Sequence, residues 1–324
     1  MFLHLPVARS SRVRNLFVAT ALITIGLMLW IELLRSSGGT HGLTPIFFAL
    51  FTYFDWRATM WMLGTLVVLL LIPAWPRARS LLTWIGEHAT VTALLSTAVM
   101  CVGALTVYRA HPLSMDEYAP VFQSQAFAAG HLTGQFPPGL FDWLVPKGFQ
   151  NYFLNVSHTT GAVASSYWPA FALLLTPFTW LGIPWACNPV LSGLTVLVIH
   201  RLALKLFDSV ETAGLAVLFT LASPVFFADG ISYYSMTGHM LFNGVFVLLL
   251  LEATPWRLIA AGVAGSIALT LHNPVPHMLF AAPWIVWLAT RERGVQKLAW
   301  LALGYLPLCL LLGVGWFWFS ADAE

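Results

Sequence analysis

The chain is poor in charged residues. Only 9% of its 324 residues are charged, whereas 59% are hydrophobic and the mean hydropathy is +0.79. Soluble globular domains carry about 25% charged residues, so the composition excludes a soluble domain as the main part of the molecule. The formal net charge of +2 is also too small to indicate a nucleic-acid-binding protein. Lipid is therefore the expected solvent for most of the chain.

Cysteine is scarce as well. The three cysteines, Cys101, Cys187 and Cys309, all lie inside apolar segments. This setting argues against a disulfide framework and against a thiolate metal site. We expect the three thiols to pack against lipid or against neighbouring helices.

Long apolar runs are the most abundant feature of the sequence. Five of them can cross about 30 Å of hydrocarbon as helices: 15–34, 89–107, 187–204, 212–228 and 298–319. Four shorter runs become crossings when flanking residues extend them: 58–74, 236–251, 258–271 and 278–290. With the first run as a retained signal anchor, the sequence predicts an all-α, polytopic transmembrane bundle of about nine crossings.

The apolar run 163–184 decides the orientation of everything that follows it. If it crossed fully, the basic groups at Arg201, Arg257 and Arg291 would face outward, against the positive-inside rule. If it enters only the outer leaflet without crossing, all three basic groups lie on the cytoplasmic side. Its internal prolines and glycine favour such a broken segment. We therefore predict that it does not cross.

This orientation divides the chain into three parts. Residues 1–107 form N-terminal transmembrane helices, 108–184 an outer, periplasmic loop with juxtamembrane helices, and 185–324 a transmembrane helical bundle. The predicted location is the bacterial inner membrane, with the N-terminus in the cytoplasm. The long loop, the 223–235 loop and the turn at 272–277 then share the outer side.

An acidic pair, Asp116 and Glu117, opens the long outer loop. Acids at this depth are functional candidates by default, because a carboxylate near apolar side chains can act as a general base or hold a divalent cation. The alternative is a pair of carboxylates that simply stay in water. Asp229 follows the end of a predicted crossing on the same side. It is either a second acid of the site or a helix-end cap.

Donors for an anionic group lie in the turn containing His272, Asn273 and His277. Imidazole and amide groups between helix ends can bind a phosphate, although interfacial histidines can also be satisfied by water. Lys147 and Arg109 are the cations of the long loop, and an exposed lysine there often has no further role. The histidine spacing matches no metal signature, so the metal requirement stays unknown.

Several short motifs follow one another in a familiar order. They are Ser114-Met115-Asp116-Glu117-Tyr118 with a helix to Gly130, Ser166-Tyr167-Trp168-Pro169, the segment 201–207, Ser223-Pro224 and Leu271-His272-Asn273-Pro274. Over residues 105–289 this order resembles the GT-C class of lipid-linked sugar transferases. The relevant families are the polyprenyl-phosphate-mannose protein mannosyltransferases and the aminoarabinose transferases of lipid A. Those families commonly have Lys-Gly-Pro where this chain has His272-Asn273-Pro274.

The resemblance implies a GT-C-like fold and an inverting glycosyltransferase. A sugar would move from a polyprenyl-phosphate donor to a lipid, glycan or protein acceptor on the non-cytoplasmic face. Asp116 would act as the base and Glu117 as its partner, with membrane lipids as the surroundings.

The alternative is a transporter or lipid flippase, which usually shows repeated halves and polar groups near the midplane. No repeat is visible, so transfer is the favoured function.

Overall fold

The computed structural model describes residues 9–36, a few positions between 56 and 68, and residues 76–322. The chain divides into two compact units, Met1–Ala78 and Arg79–Glu324. In the first unit, helix α1 (Arg9–Ser36) contains the predicted run 15–34. The crossing predicted at 58–74 lies outside the continuously described residues.

The second unit is mostly helical. Its first half contains most of α2 (Pro76–Glu87), which begins in the first unit, and then α3 (Ala89–Thr106), α4 (Met115–Ala128), α5 (Phe141–Leu144) and α6 (Ala170–Trp180). Its second half contains α7 (Cys187–Phe207), α8 (Val210–Leu221), α9 (Pro224–Ile231), α10 (Met236–Leu250), α11 (Pro255–Thr270), α12 (Val275–Ala289), α13 (Gly294–Leu308) and α14 (Trp316–Asp322). A π-helical stretch, Cys309–Gly315, joins α13 to α14.

Three helical stretches of the described chain are long and apolar enough to cross a membrane: Ala89–Thr106, Pro184–Phe207 and Gly294–Ser320. The pair α8 and α9 makes a fourth if it counts as one span with a 63° bend. Large apolar side chains such as Leu94 and Leu311 are about two-thirds exposed on these helices, which water would not favour. These are the features of a helical membrane protein, while the expected nine crossings stay a prediction.

The bend between α8 and α9 has a local cause. Ser223 caps α9 by accepting a hydrogen bond from the Phe226 amide, and Pro224 occupies the first helical position, where no amide hydrogen is needed. The run 212–228, expected as one crossing, is therefore divided into two helices.

The run 163–184 is divided as well. It contributes the strand Ala162–Ser165 and then α6, whose 11 residues rise about 16 Å, roughly half the hydrocarbon thickness. A helix of this length is too short to span the hydrocarbon by itself, and the predicted non-crossing of 163–184 stays a prediction.

The long loop contains a small sheet that the all-α prediction lacked. Strands β1 (Gly134–Gln135), β2 (Leu154–Val156) and β3 (Ala162–Ser165) pair antiparallel in the order β1-β3-β2. Strands of two to four residues are too short to show a period of two in the sequence. The sheet packs its apolar side against α4 and α5.

Helix α7 lies at the centre of the unit, against α3, α8 and α10, while α11 packs on α10 and α13. The contact between α11 and α13 is very close. A Cβ atom on Gly262 would lie 2.2 Å from the Leu301 carbonyl oxygen, and one on Gly304 would lie 2.0 Å from that of Ile259. Small residues at such crossings let helix backbones approach each other within a membrane.

Candidate functional site

The site begins at the N-terminus of α4. Ser114 precedes the helix in extended conformation, and Asp116 and Glu117 both lie in its first turn. Acidic residues are favoured there because the free amide hydrogens and the helix dipole make this end positive. The two neighbouring carboxylates point into different surroundings and have different partners.

Glu117 is fully buried, with 0% of its surface exposed. Its Oε2 atom accepts hydrogen bonds from the Leu113 amide (3.0 Å) and the Ser114 hydroxyl (3.1 Å), and its Oε1 atom accepts one from the Tyr233 amide (3.1 Å). A buried charge requires this degree of hydrogen bonding. Glu117 therefore joins the start of α4 to the segment between α9 and α10.

The segment from Ser232 to Ser235 is fixed from two sides. The side-chain NH2 group of Asn188, at the start of α7, donates to the main-chain carbonyl oxygens of Asp229 (3.2 Å), Ser232 (2.9 Å) and Tyr234 (2.8 Å). The Tyr234 hydroxyl in turn lies 3.0 Å from the Ser114 hydroxyl. Burial raises the pKa of Tyr233 to about 12, with the charge of Glu117 as a second cause.

Asp116 is only partly buried and accepts a hydrogen bond on Oδ1 from the Tyr167 hydroxyl. Its second oxygen, Oδ2, has no hydrogen-bond partner among the described residues. Burial and the Asp116 carboxylate raise the pKa of Tyr167 far above its usual range. The phenol therefore stays protonated and keeps one oxygen of Asp116 occupied, which leaves Oδ2 for a ligand.

Tyr167 also connects the acid to the turn after α11. Its ring stacks on His272, with centroids 4.3 Å apart and planes at 27°. Its carbonyl oxygen accepts a hydrogen bond from the Trp316 indole at 3.1 Å. The loop, the His272 turn and the start of α14 thus meet at one residue.

The hydrogen bonds of Asn273 assign the tautomer of His272. The Asn273 side-chain oxygen accepts from the Val275 amide (3.1 Å), so its NH2 group faces His272 and donates to Nδ1 (2.8 Å). A neutral His272 must then carry its proton on Nε2. Burial lowers the pKa of His272, and the charge of Asp116 opposes this shift. At neutral pH this histidine offers an N–H donor without a full positive charge.

The other predicted donors have different surroundings. His277 is buried in α12, with Nδ1 2.6 Å from the Asn243 side-chain oxygen and Nε2 2.6 Å from the Tyr305 hydroxyl. Both of its ring nitrogens are therefore used within the helix bundle, so His277 has none left for a phosphate.

The two cations of the loop are exposed. Lys147 lies 3.3 Å from Asp142, whose pKa is lowered by its hydrogen bond from Gln150 and by Lys147. Arg109 follows α3 with a φ of 52°. Among the described contacts, neither cation touches Asp116, Tyr167 or His272.

Asp229 lies in α9 and is half-buried. Its side chain lines a cavity of about 140 Å³ together with Ser223 and Thr237. Tyr108 interacts electrostatically with both Glu117 and Asp229, so this second acid belongs to the same end of the bundle. No hydrogen bond from the described residues reaches its carboxylate, and its main-chain carbonyl accepts from Asn188 instead.

His239 was not predicted from the sequence. It is 8% exposed on α10, neither of its ring nitrogens has a hydrogen-bond partner in the described structure, and it interacts electrostatically with His272. The signal that could have found His239 and Asn188 is a polar residue inside an apolar run, since such residues are costly in a membrane.

A cavity of about 560 Å³ adjoins this site. Its walls come from α4, α6 and the π-helical stretch with α14, and are almost entirely apolar, with Leu173, Trp180 and Trp316 among them. Pro169 lines the cavity two residues after Tyr167. Trp316, another wall residue, donates to the Tyr167 carbonyl oxygen, so the cavity reaches the segment that contains Tyr167.

The described residues contain no group of three or more His, Cys, Asp or Glu side chains that could hold a metal ion. Neither a protein-family model, nor a curated protein, nor a solved structure matches the chain.

Proposed function

We propose that the chain is an inverting glycosyltransferase, which moves a sugar from a polyprenyl-phosphate donor to an acceptor on the non-cytoplasmic face of a membrane. The observation that carries the proposal is the position of Asp116. Among the described residues, this carboxylate has one oxygen without a hydrogen-bond partner, and it interacts electrostatically with His272, whose neutral ring carries its proton on Nε2. An apolar cavity large enough for part of a hydrocarbon chain is lined by Pro169, two residues after Tyr167. Transfer from a lipid-linked phosphate uses a base for the acceptor, a hydrogen-bond donor for the departing phosphate and apolar space for the lipid.

The reaction follows from these groups. The acceptor oxygen or nitrogen attacks the anomeric carbon while Asp116 Oδ2 takes its proton. The bond between that carbon and the phosphate oxygen breaks on the opposite side, so the configuration inverts. The phosphate leaves with the bonding electrons, and His272 Nε2–H donates a hydrogen bond to it. Phosphate is a good leaving group, so no strong acid is needed.

The remaining candidates have secondary roles in this proposal. Glu117 holds the start of α4 and does not touch the reacting atoms, because all of its hydrogen bonds are internal. Asp229 is the second acid and orients the acceptor. Lys147 pairs with Asp142, so it binds the phosphate only if this pair opens. Arg109 has no described contact with Asp116, Tyr167 or His272 and has no role in the proposed step. A divalent cation would need a second carboxylate besides Asp116, and the neighbouring Glu117 is buried.

One set of observations favours transport or lipid flipping as a second function. The bent pair of α8 and α9 is a discontinuous helix, and His239 and Thr237 have buried polar atoms without partners. Broken helices and buried polar groups are common at transporter sites. Uptake of a labelled lipid-linked sugar into protein-containing vesicles, without transfer, would favour this second function.

The test of the proposal is Asp116→Asn, measured as transfer from polyprenyl-phosphate sugars in membranes. Loss of a general base costs about a hundredfold to ten-thousandfold in rate, whereas the amide keeps the size of the side chain. Asp142→Asn is the matched control because Asp142 is an exposed acid of the same loop. Wild-type transfer by Asp116→Asn, or an equal loss in both variants, would overturn the assignment.

A further inference from the structure

A second polar region lies at the opposite end of α7 from Asp116. It is an open cavity of about 730 Å³ between the C-terminal end of α7, the end of α10 and the start of α11. Its walls include Arg201, Lys205, Glu252, Trp256 and Arg257. The proposed transfer reaction uses none of these residues.

The position of this cavity places it at a membrane boundary. Asn188 contacts the Asp116 end of the molecule, and Lys205 lies 17 residues further along the same helix, which corresponds to about 25 Å. Because α7 is long and apolar enough to cross a membrane, its two ends lie near opposite surfaces of the bilayer. The cavity therefore faces headgroups rather than hydrocarbon.

The charges of the cavity do not cancel. Glu252 pairs with Lys205 at 2.6 Å and also with Arg257. Arg201 has no ion-pair partner among the described residues. Three cationic side chains and one carboxylate leave an excess of two positive charges around a space that is open to the surroundings.

The remaining walls suit a lipid. Trp256 is 76% exposed beside the cavity, and Leu248 and Leu249 form part of its apolar floor. Tryptophan is enriched at the membrane–water boundary, and basic pockets between transmembrane helices bind the headgroups of anionic lipids. A soluble anion would use the cations but would gain nothing from Trp256 and the leucines.

We propose that this cavity, at the end of α7, α10 and α11 remote from Asp116, is a binding site for the headgroup of an anionic phospholipid. Arg201 and Arg257 bind the phosphate, and Trp256 lies along the glycerol and the upper acyl chain. Glu252 limits the affinity by neutralising part of the charge and keeps Lys205 and Arg257 in place when the site is empty. The site is independent of the proposed transfer reaction.

The test measures lipid retained by the full chain after transfer from bilayers of phosphatidylcholine alone or of phosphatidylcholine with a minority of phosphatidylglycerol. Native mass spectrometry counts the bound phosphatidylglycerol. Arg201→Gln should reduce retention about fivefold, the effect expected for one basic residue at a membrane surface. Glu252→Gln should increase retention by a similar factor because Glu252 is the one acid among the described residues that line the cavity.

The opposite signs separate lipid binding from a structural ion-pair network, in which both changes would act in the same direction or not at all. Lys297→Gln is the matched control, because it removes one positive charge near the start of α13 and does not line the cavity. Equal losses in Arg201→Gln and Lys297→Gln, or a loss in Glu252→Gln, would overturn the proposal. Displacement of phosphatidylglycerol by inorganic phosphate would identify a soluble anion as the ligand and would also overturn it.

Discussion

The two ends of α7 hold their charged groups in opposite ways. At the Asp116 end, Glu117 is buried and every one of its partners is a fixed amide or hydroxyl hydrogen. At the Arg201 end, the charged side chains are partly exposed and pair with each other across an open cavity. The first arrangement positions a site rigidly, whereas the second leaves charge available for a ligand at the membrane surface.

Removing a charge should therefore change the stability of the protein more at the Asp116 end than at the Arg201 end. When a buried carboxylate is replaced by a neutral group, several hydrogen-bond donors lose a full acceptor. Each donor without an acceptor lowers the free energy of unfolding. An exposed ion pair contributes little because water competes with it. Three substitutions test this difference between the two ends of α7.

The largest effect is expected for Glu117→Gln. The new NH2 group must face at least one of the amide donors that now bind Glu117, so the variant should lose about 3 kcal/mol of stability. Thermal or denaturant unfolding in detergent measures the loss. A variant as stable as the wild type would show that Glu117 does not fix the start of α4 to Tyr233.

A change in pH dependence is expected for His272→Gln. Burial holds the pKa of His272 below its ordinary value of 6.5, so the unfolded chain binds this proton more readily than the folded chain does. The stability from neutral His272 is present above pH 6.5 and is lost as the pH falls below that value, with a slope of at most about 1.4 kcal/mol per pH unit.

Unfolding of wild type and His272→Gln between pH 7 and pH 5 tests this expectation, with exposed His111→Gln as the control. The His272 variant should lose less stability on acidification than the wild type. Parallel pH curves for all three proteins would contradict a buried, neutral His272.

The smallest effect on stability is expected for Glu252→Gln. Its pairs with Lys205 and Arg257 are about one-third to one-half exposed, so their loss should cost less than about 1 kcal/mol. The same unfolding measurement applies. A loss as large as that of Glu117→Gln would mean that the Arg201 end is a structural network and not an open binding surface.

Much of the helical framework could be predicted from residue types alone. The runs 89–107 and 187–204 correspond to α3 and α7 within a few residues, because a continuous apolar run has only one stable form in lipid. Asp116 and Glu117 do lie in the first turn of a helix, while their functional role stays a prediction. The bend between α8 and α9 and the three short strands were missed, because caps and long-range pairing decide them.

Residue types alone predict a helical membrane protein with an acidic pair just beyond a long apolar run, since hydrophobic length and charge scarcity are local properties of the chain. Which of the two acids is available for a ligand depends instead on contacts between distant segments. Within the described part of the chain, Asp116 keeps one oxygen without a partner because Tyr167, 51 residues away, binds the other, whereas Glu117 accepts a hydrogen bond from an amide 116 residues away. Likewise, His272 faces the site and His277 faces Asn243 and Tyr305. Burial and hydrogen-bond partners depend on distant segments, and no local pattern encodes them.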